Sequence, residues 1–192
     1  MRSFAYTAAL LLAGAAASPV LAQEAAPFTG PRVEGIIGYD KVDVNPGKDD
    51  SVMYGVAAGY DMQLGGLVVG LEGEYTDSNI KDCVGARTAA SPEVCARVGR
   101  DLYAGGRVGS AIGPDTLVYG KVGYTNAGFR ATGDDGTGRV ELADGNLDGV
   151  RVGAGLEQKV GPNSFVKAEY RYSNYEAGVE RHQAVAGFGF RF

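Results

Sequence analysis

Residues 101–125 read DLYAGGRVGSAIGPDTLVYGKVGYT. Leu102, Ala104 and Val108 fall on one side of an alternating run, as do Val118, Val122 and Tyr124 after the break. The opposite side holds Gly105, Arg107 and Gly109, then Lys121 and Gly123. Between the halves stands Gly113-Pro114-Asp115-Thr116, whose residues favour a tight turn. Side chains alternate faces along a strand, so a period of two on both flanks of such a turn spells a β-hairpin. One of its faces is apolar. The other mixes charge with glycine.

The pattern extends in both directions from this hairpin. Strands are expected at 32–40, 51–62, 67–76, 101–112, 117–125, 150–160, 165–173 and 181–192. Each is about ten residues long, the length of a tilted strand crossing a bilayer. Short connections at 63–66, 113–116 and 161–164 alternate with longer ones at 41–50, 77–100, 126–149 and 174–180. The stretches 77–100 and 126–149 read as long polar loops. Short turns at one end and long loops at the other mark an outer-membrane barrel. The expected fold is all-β: an eight-stranded antiparallel up-and-down transmembrane barrel.

The two faces sort cleanly. The apolar series includes Val33, Ile37, Val56, Leu71, Val152, Leu156 and Val166, with Tyr39, Tyr54, Tyr75, Tyr124, Tyr170 and Tyr172 toward the long-loop end. Tyr60, Phe190 and Phe192 fall toward the short-turn end. Two aromatic belts around an aliphatic band suit a bilayer with two interfaces, so this face is expected outward. The inward face carries Arg32, Glu34, Asp40, Asp61, Glu72, Glu74, Asp101, Arg107, Lys121, Arg151, Glu157, Lys167, Glu169, Arg171, Arg181 and Arg191. The signs balance, which favours mutual pairing in a lumen just wide enough for its own side chains. Glu72, Glu74, Arg107 and Lys121 come from three consecutive strands and are expected to meet in one layer. The inward glycines keep a second reading open, a small water-filled pore.

Outward from the barrel, residues 1–22 hold one charge, Arg2, an apolar run AALLLAGAAA at 8–17, and Pro19-Val20-Leu21-Ala22. This reads as a secretory signal peptide, with cleavage expected between Ala22 and Gln23. Residues 23–31 then form a short periplasmic segment and 32–192 the barrel. Glycine is abundant at 31 residues, as a β-rich chain with tight turns and a crowded lumen requires. Acidic residues outnumber basic ones, 23 to 18, and no basic block stands out, which argues against nucleic acid as a partner. Cys83 and Cys95 share one polar segment in a chain bound for an oxidising compartment, so a disulfide between them is expected.

The last strand ends AVAGFGFRF, with Phe188, Phe190 and Phe192 alternating to the terminus. This resembles the C-terminal signature read by the barrel-assembly machinery. RDLYAGGRVG at 100–109, TLVYGKVGYTN at 116–126 and DGNLDGVRVGAGLE at 144–157 add to the resemblance. Together they resemble the opacity-protein and OmpA-type membrane barrels, often labelled porin family proteins or surface antigens. The resemblance implies the outer membrane of a Gram-negative bacterium. Implied partners are outer-membrane lipid and lipopolysaccharide, with periplasmic chaperones and the assembly machinery during biogenesis. It implies adhesion, envelope-integrity or weak pore roles, and leaves the ligand of the loops unnamed. Full-length OmpA carries a peptidoglycan-binding domain after its barrel. None is expected here.

Motifs for chemistry are weak. Asp144-Gly145-Asn146-Leu147-Asp148-Gly149 begins like a calcium loop, but Gly155 stands where the closing Glu belongs. Gly153-Ala154-Gly155 lacks the third glycine and the helix of a dinucleotide site. Outer-membrane lipid A deacylases are also eight-stranded barrels and place a serine two residues after a rim histidine; here Ala184 follows His182. No catalytic residue, metal site or cofactor is expected.

Overall fold

The computed structural model describes residues 26–44, 47–78, 80–88 and 90–192. The expected signal peptide and its cleavage point between Ala22 and Gln23 lie outside the described residues. Among the described residues nine strands run β1 (Gly30–Val44), β2 (Gly47–Leu64), β3 (Leu67–Ser78), β4 (Ile80–Val84), β5 (Glu93–Ile112), β6 (Thr116–Asp134), β7 (Arg139–Lys159), β8 (Ser164–Tyr175) and β9 (Glu180–Arg191). Neighbours in the chain pair antiparallel, β3 also pairs with β5, and β1 pairs with β9. That closes a ring of eight strands. Short β4 pairs only with the upper part of β5. Closure leaves no free edge in the ring, so the backbone donors and acceptors of its strands have partners on both sides.

The alternation fixes the register. Val33, Ile37, Val56, Leu71, Val122 and Val152 face outward and are exposed. Tyr39, Tyr54, Tyr75, Tyr124 and Tyr170 ring one end of this face, and Tyr60, Phe190 and Phe192 the other. Within the eight-stranded ring the inward charged side chains are buried. A slip of one residue would exchange the two sets. It would carry Arg151, now fully buried, toward lipid at a cost of about 2–4 kcal/mol near the midplane.

The long connections are not loops. β6 and β7 stay paired as far as Asp134 and Arg139, and β5 begins at Glu93. Above the aromatic belt the sequence loses its apolar period while the backbone ladder continues. Two bulges interrupt it. Val98 pairs with Phe129 and Asp101 with Ala127, which leaves Gly99 and Arg100 opposite Gly128 alone. Ala143 pairs with Ala131 and Glu141 with Thr132, which leaves Leu142 over.

The short-turn mouth is filled by the chain's own N-terminal segment. Phe28 is fully buried against Val68, Leu117 and Tyr119. Its amide donates to Gln63 Oε1 at 3.1 Å, and its carbonyl accepts from Arg191 Nη1 at 2.6 Å. The residues expected to lead in as a periplasmic segment are therefore, from Pro27 to Thr29, tucked into the barrel end, and β1 starts at Gly30.

Candidate functional site

The inner rows bring all sixteen inward charges into a single buried network of eight basic and eight acidic residues. Near the short turns, Arg107 reaches Asp61 at 2.5 Å and Glu157 at 3.1 Å. Arg191 spans the same two carboxylates, at 2.7 and 2.6 Å. Arg32 joins this tier to the next: its Nε donates to Asp61 at 3.0 Å, its Nη1 to Glu34 at 2.7 Å, and its Nη2 pairs with Glu72.

In the middle tier, Lys121 Nζ lies 2.8 Å from Glu72, 2.6 Å from Glu74 and 2.8 Å from Glu169. Lys167 pairs with Glu34 at 2.7 Å. Arg171 pairs with Glu74 at 2.9 Å and also with Glu169. Nearer the long hairpins, Arg151 and Arg181 converge on Asp101, and Arg181 also holds Asp40. Arg151 reaches down to Glu74 at 3.4 Å, so the tiers form one chain of ion pairs.

One expectation is corrected. Glu72, Glu74 and Lys121 meet, but Arg107 joins Asp61 and Glu157 instead. Arg107 and Lys121 are directly paired across β5 and β6, and two cations there point away from each other toward different acids.

The lumen also holds aromatic groups that the charge pattern did not reveal. Tyr103 lies under Lys121 and near Arg151, with 4.7 and 5.4 Å from each cation to the ring centre. Tyr119 donates to Glu169 at 2.6 Å and stacks beneath Arg107 at 4.9 Å. Tyr175 donates to Asp101 at 2.8 Å. Such contacts help satisfy desolvated cations. The signal was present: each tyrosine occupies an inward position of its strand, and glycines lie beside the rings of Tyr103 and Tyr119. A Cβ on Gly105 would fall 2.2 Å from the Tyr103 hydroxyl, and one on Gly155 2.7 Å from that of Tyr119.

Outside the lumen, Cys83 and Cys95 face each other across β4 and β5 and are joined in a disulfide. Glu93 lies beside them, but the bonded thiols offer no metal ligand. His182 sits on the outer face near the long-hairpin rim, its Nδ1 within 2.6 Å of the Tyr170 hydroxyl and its ring 5.0 Å from that of Tyr172. Phe188, Phe190 and Phe192 all lie on the exposed outer face, with Phe188 edge-on to Phe190.

Known proteins share this architecture. Ail, the attachment invasion locus protein of Yersinia pestis, solved in complex with the heparin analogue sucrose octasulfate, superposes with a TM-score of 0.59 at 18% identity, over 85% of this chain and 99% of that one. Neisserial surface protein A superposes with a TM-score of 0.55 at 18% identity, over 85% and 98%. Comparison with curated protein sequences gives no match. The family model for the outer membrane protein beta-barrel domain matches residues 7–192, and the chain belongs to that family.

Proposed function

We propose that this is a closed outer-membrane barrel, exported by its N-terminal signal and acting through its outer hairpins in surface interaction or envelope integrity. The observation that carries this reading is the filled lumen. Eight cations and eight carboxylates are paired along its length, and Phe28 closes the short-turn mouth. A network this interlinked leaves a solute no path that does not break several buried ion pairs, each costly to leave half-made. Phe188, Phe190 and Phe192 serve assembly in this reading. Catalysis is no part of it, since His182 is engaged by Tyr170 and followed by Ala184 where a nucleophile would stand.

Swelling of protein-loaded liposomes in small sugars tests the closed state. The expected result is a swelling rate equal to that of empty liposomes. Shortening the β6–β7 hairpin above Asn126 and Asp148 should leave the heat-resistant form of the barrel on gels intact. Rapid swelling by the intact protein would contradict the reading and favour a pore.

A further inference from the structure

Four metal-ligating side chains share one face of the outer hairpins. Cys83 on β4 stands opposite Cys95 on β5. Glu93, two residues before Cys95, stands opposite Asp134 on β6. Alternation along β5 puts Cys95 and Glu93 on the same side. Glu93 Oε2 lies 3.6 Å from the Cys95 sulfur. The ligand atoms of Cys83, Cys95 and Glu93 all lie within 4.8 Å of one another. The carboxylates are sheltered: the side chains of Glu93 and Asp134 are 21% and 19% exposed.

A cation already sits between these two acids. Arg87 Nε lies 3.0 Å from Glu93 Oε2 and 3.7 Å from Asp134 Oδ2. Asp134 uses its other oxygen to accept the Gly136 amide, at 3.0 Å. The Arg87 side chain is 56% exposed, so it can swing into water, and ion pairs this open are weak. Two sulfurs, two carboxylate oxygens and one loosely held cation make the donor set of a tetrahedral zinc site. In such a tetrahedron the sulfurs stand roughly 3.8 Å apart, and a sulfur and an oxygen roughly 3.5 Å. The Cys95–Glu93 separation is already of that size. The two sulfurs are kept from it only by the bond between them. Directly opposed residues hold their Cβ atoms about 4.5–5.5 Å apart, so freed thiols reach the spacing by side-chain rotation, with the ladder unmoved.

We propose that the clasp between β4 and β5 is a thiol-switched zinc site: once the disulfide is reduced, Cys83, Cys95, Glu93 and Asp134 bind the ion in place of Arg87. The reductant is an external dithiol. It supplies two electrons and two protons, the S–S bond breaks, and the dithiol closes to its own disulfide. Zinc then binds both thiolates, and their two protons pass to water. Either bond, covalent or through the metal, ties β4 to β5. The site stands above the ring and does not depend on the state of the lumen.

The test uses the full chain folded in detergent micelles, reduced with a phosphine and desalted without air. Zinc titrated against a fluorescent chelator should bind at one ion per chain. The oxidised chain, and Cys83→Ser/Cys95→Ser, should bind none at the same concentration. Cobalt in place of zinc should show the visible bands of tetrahedral coordination and the near-ultraviolet absorption of two thiolates. Glu93→Gln and Asp134→Asn should each weaken zinc binding by about tenfold or more. Arg87→Ala should tighten it, because the competing cation is gone; an arginine that merely supported the loop would loosen it when lost. Heat-resistant mobility on gels checks that each variant is folded. Equal zinc binding by the oxidised chain, a cobalt spectrum of octahedral oxygen ligation, or unchanged affinity in both carboxylate variants overturns the site. Each of these failures leaves the closed barrel of the proposed function standing, which liposome swelling decides separately.

Discussion

Arg107 and Lys121 oppose each other across the β5–β6 ladder, yet they share no carboxylate: Arg107 holds Asp61 and Glu157, and Lys121 holds Glu72, Glu74 and Glu169. The shear between strands, more than closeness in sequence, decides which inward charges meet. Double-mutant cycles read this directly. Lys121→Met and Glu72→Gln should couple by about 0.5–3 kcal/mol in unfolding from detergent or bilayer. Arg107→Met and Glu72→Gln, linked only through Asp61 and Arg32, should couple by less than the first pair. Comparable coupling in both cycles would refute the tiered arrangement.

The lumen tyrosines depend on bare backbone beside their rings. Gly155→Ala would put a methyl 2.7 Å from the Tyr119 hydroxyl and 2.9 Å from the Ala168 carbonyl oxygen. Overpacking of this kind costs about 1–3 kcal/mol. The loss should be smaller when Tyr119→Leu is already present, because the ring that would clash has gone. Strict additivity in urea unfolding would show that the tyrosine does not occupy this space.

Reduction of Cys83–Cys95 should act locally. The bridge joins β4 to the upper part of β5, beyond the membrane band. The chain-entropy model gives about 3 kcal/mol for closing a loop of this size. Hydrogen exchange should quicken in β4 after reduction, while the exchange of β8 and β9 stays unchanged. Loss of the heat-resistant barrel on reduction would contradict this.

The tip of the β6–β7 hairpin is tuned to acid. The Thr137 hydroxyl and amide donate to the Asp135 carboxylate at 2.6 and 2.9 Å and hold it below its ordinary value near 3.8. A depressed carboxylate helps the turn above its unfolded value, and that help fades as pH falls through the folded one. Carbon NMR of the Asp135 side chain should show protonation beginning only below the ordinary value. In Thr137→Ala the midpoint should move up toward it. An unchanged midpoint would remove the assigned cause.

Much of this was legible in the chain. Alternation alone sorted Val122 outward and Lys121 inward, and the apolar series placed both tyrosine belts. The partners of Arg107 were not legible, because they depend on the stagger of strands around the ring. Neither were the tall hairpins. Residues such as Thr132, Gly133 and Asp134 continue the backbone ladder with no apolar period to betray a strand. The bulges at Gly99–Arg100 and Leu142 were equally hidden, since an extra residue is visible only against its partner strand.

Single-channel recording in planar bilayers tests the closed lumen most directly. The full chain, folded and inserted, should give no steady open level above the bare membrane across a wide voltage range. Arg107→Ala, which removes contacts to Asp61 and Glu157 in the tier nearest the short turns, should at most give brief, small openings. Large, steady, ion-selective openings from the unaltered protein would contradict the account, for they would mean that the paired charges line a water-filled path instead of filling it.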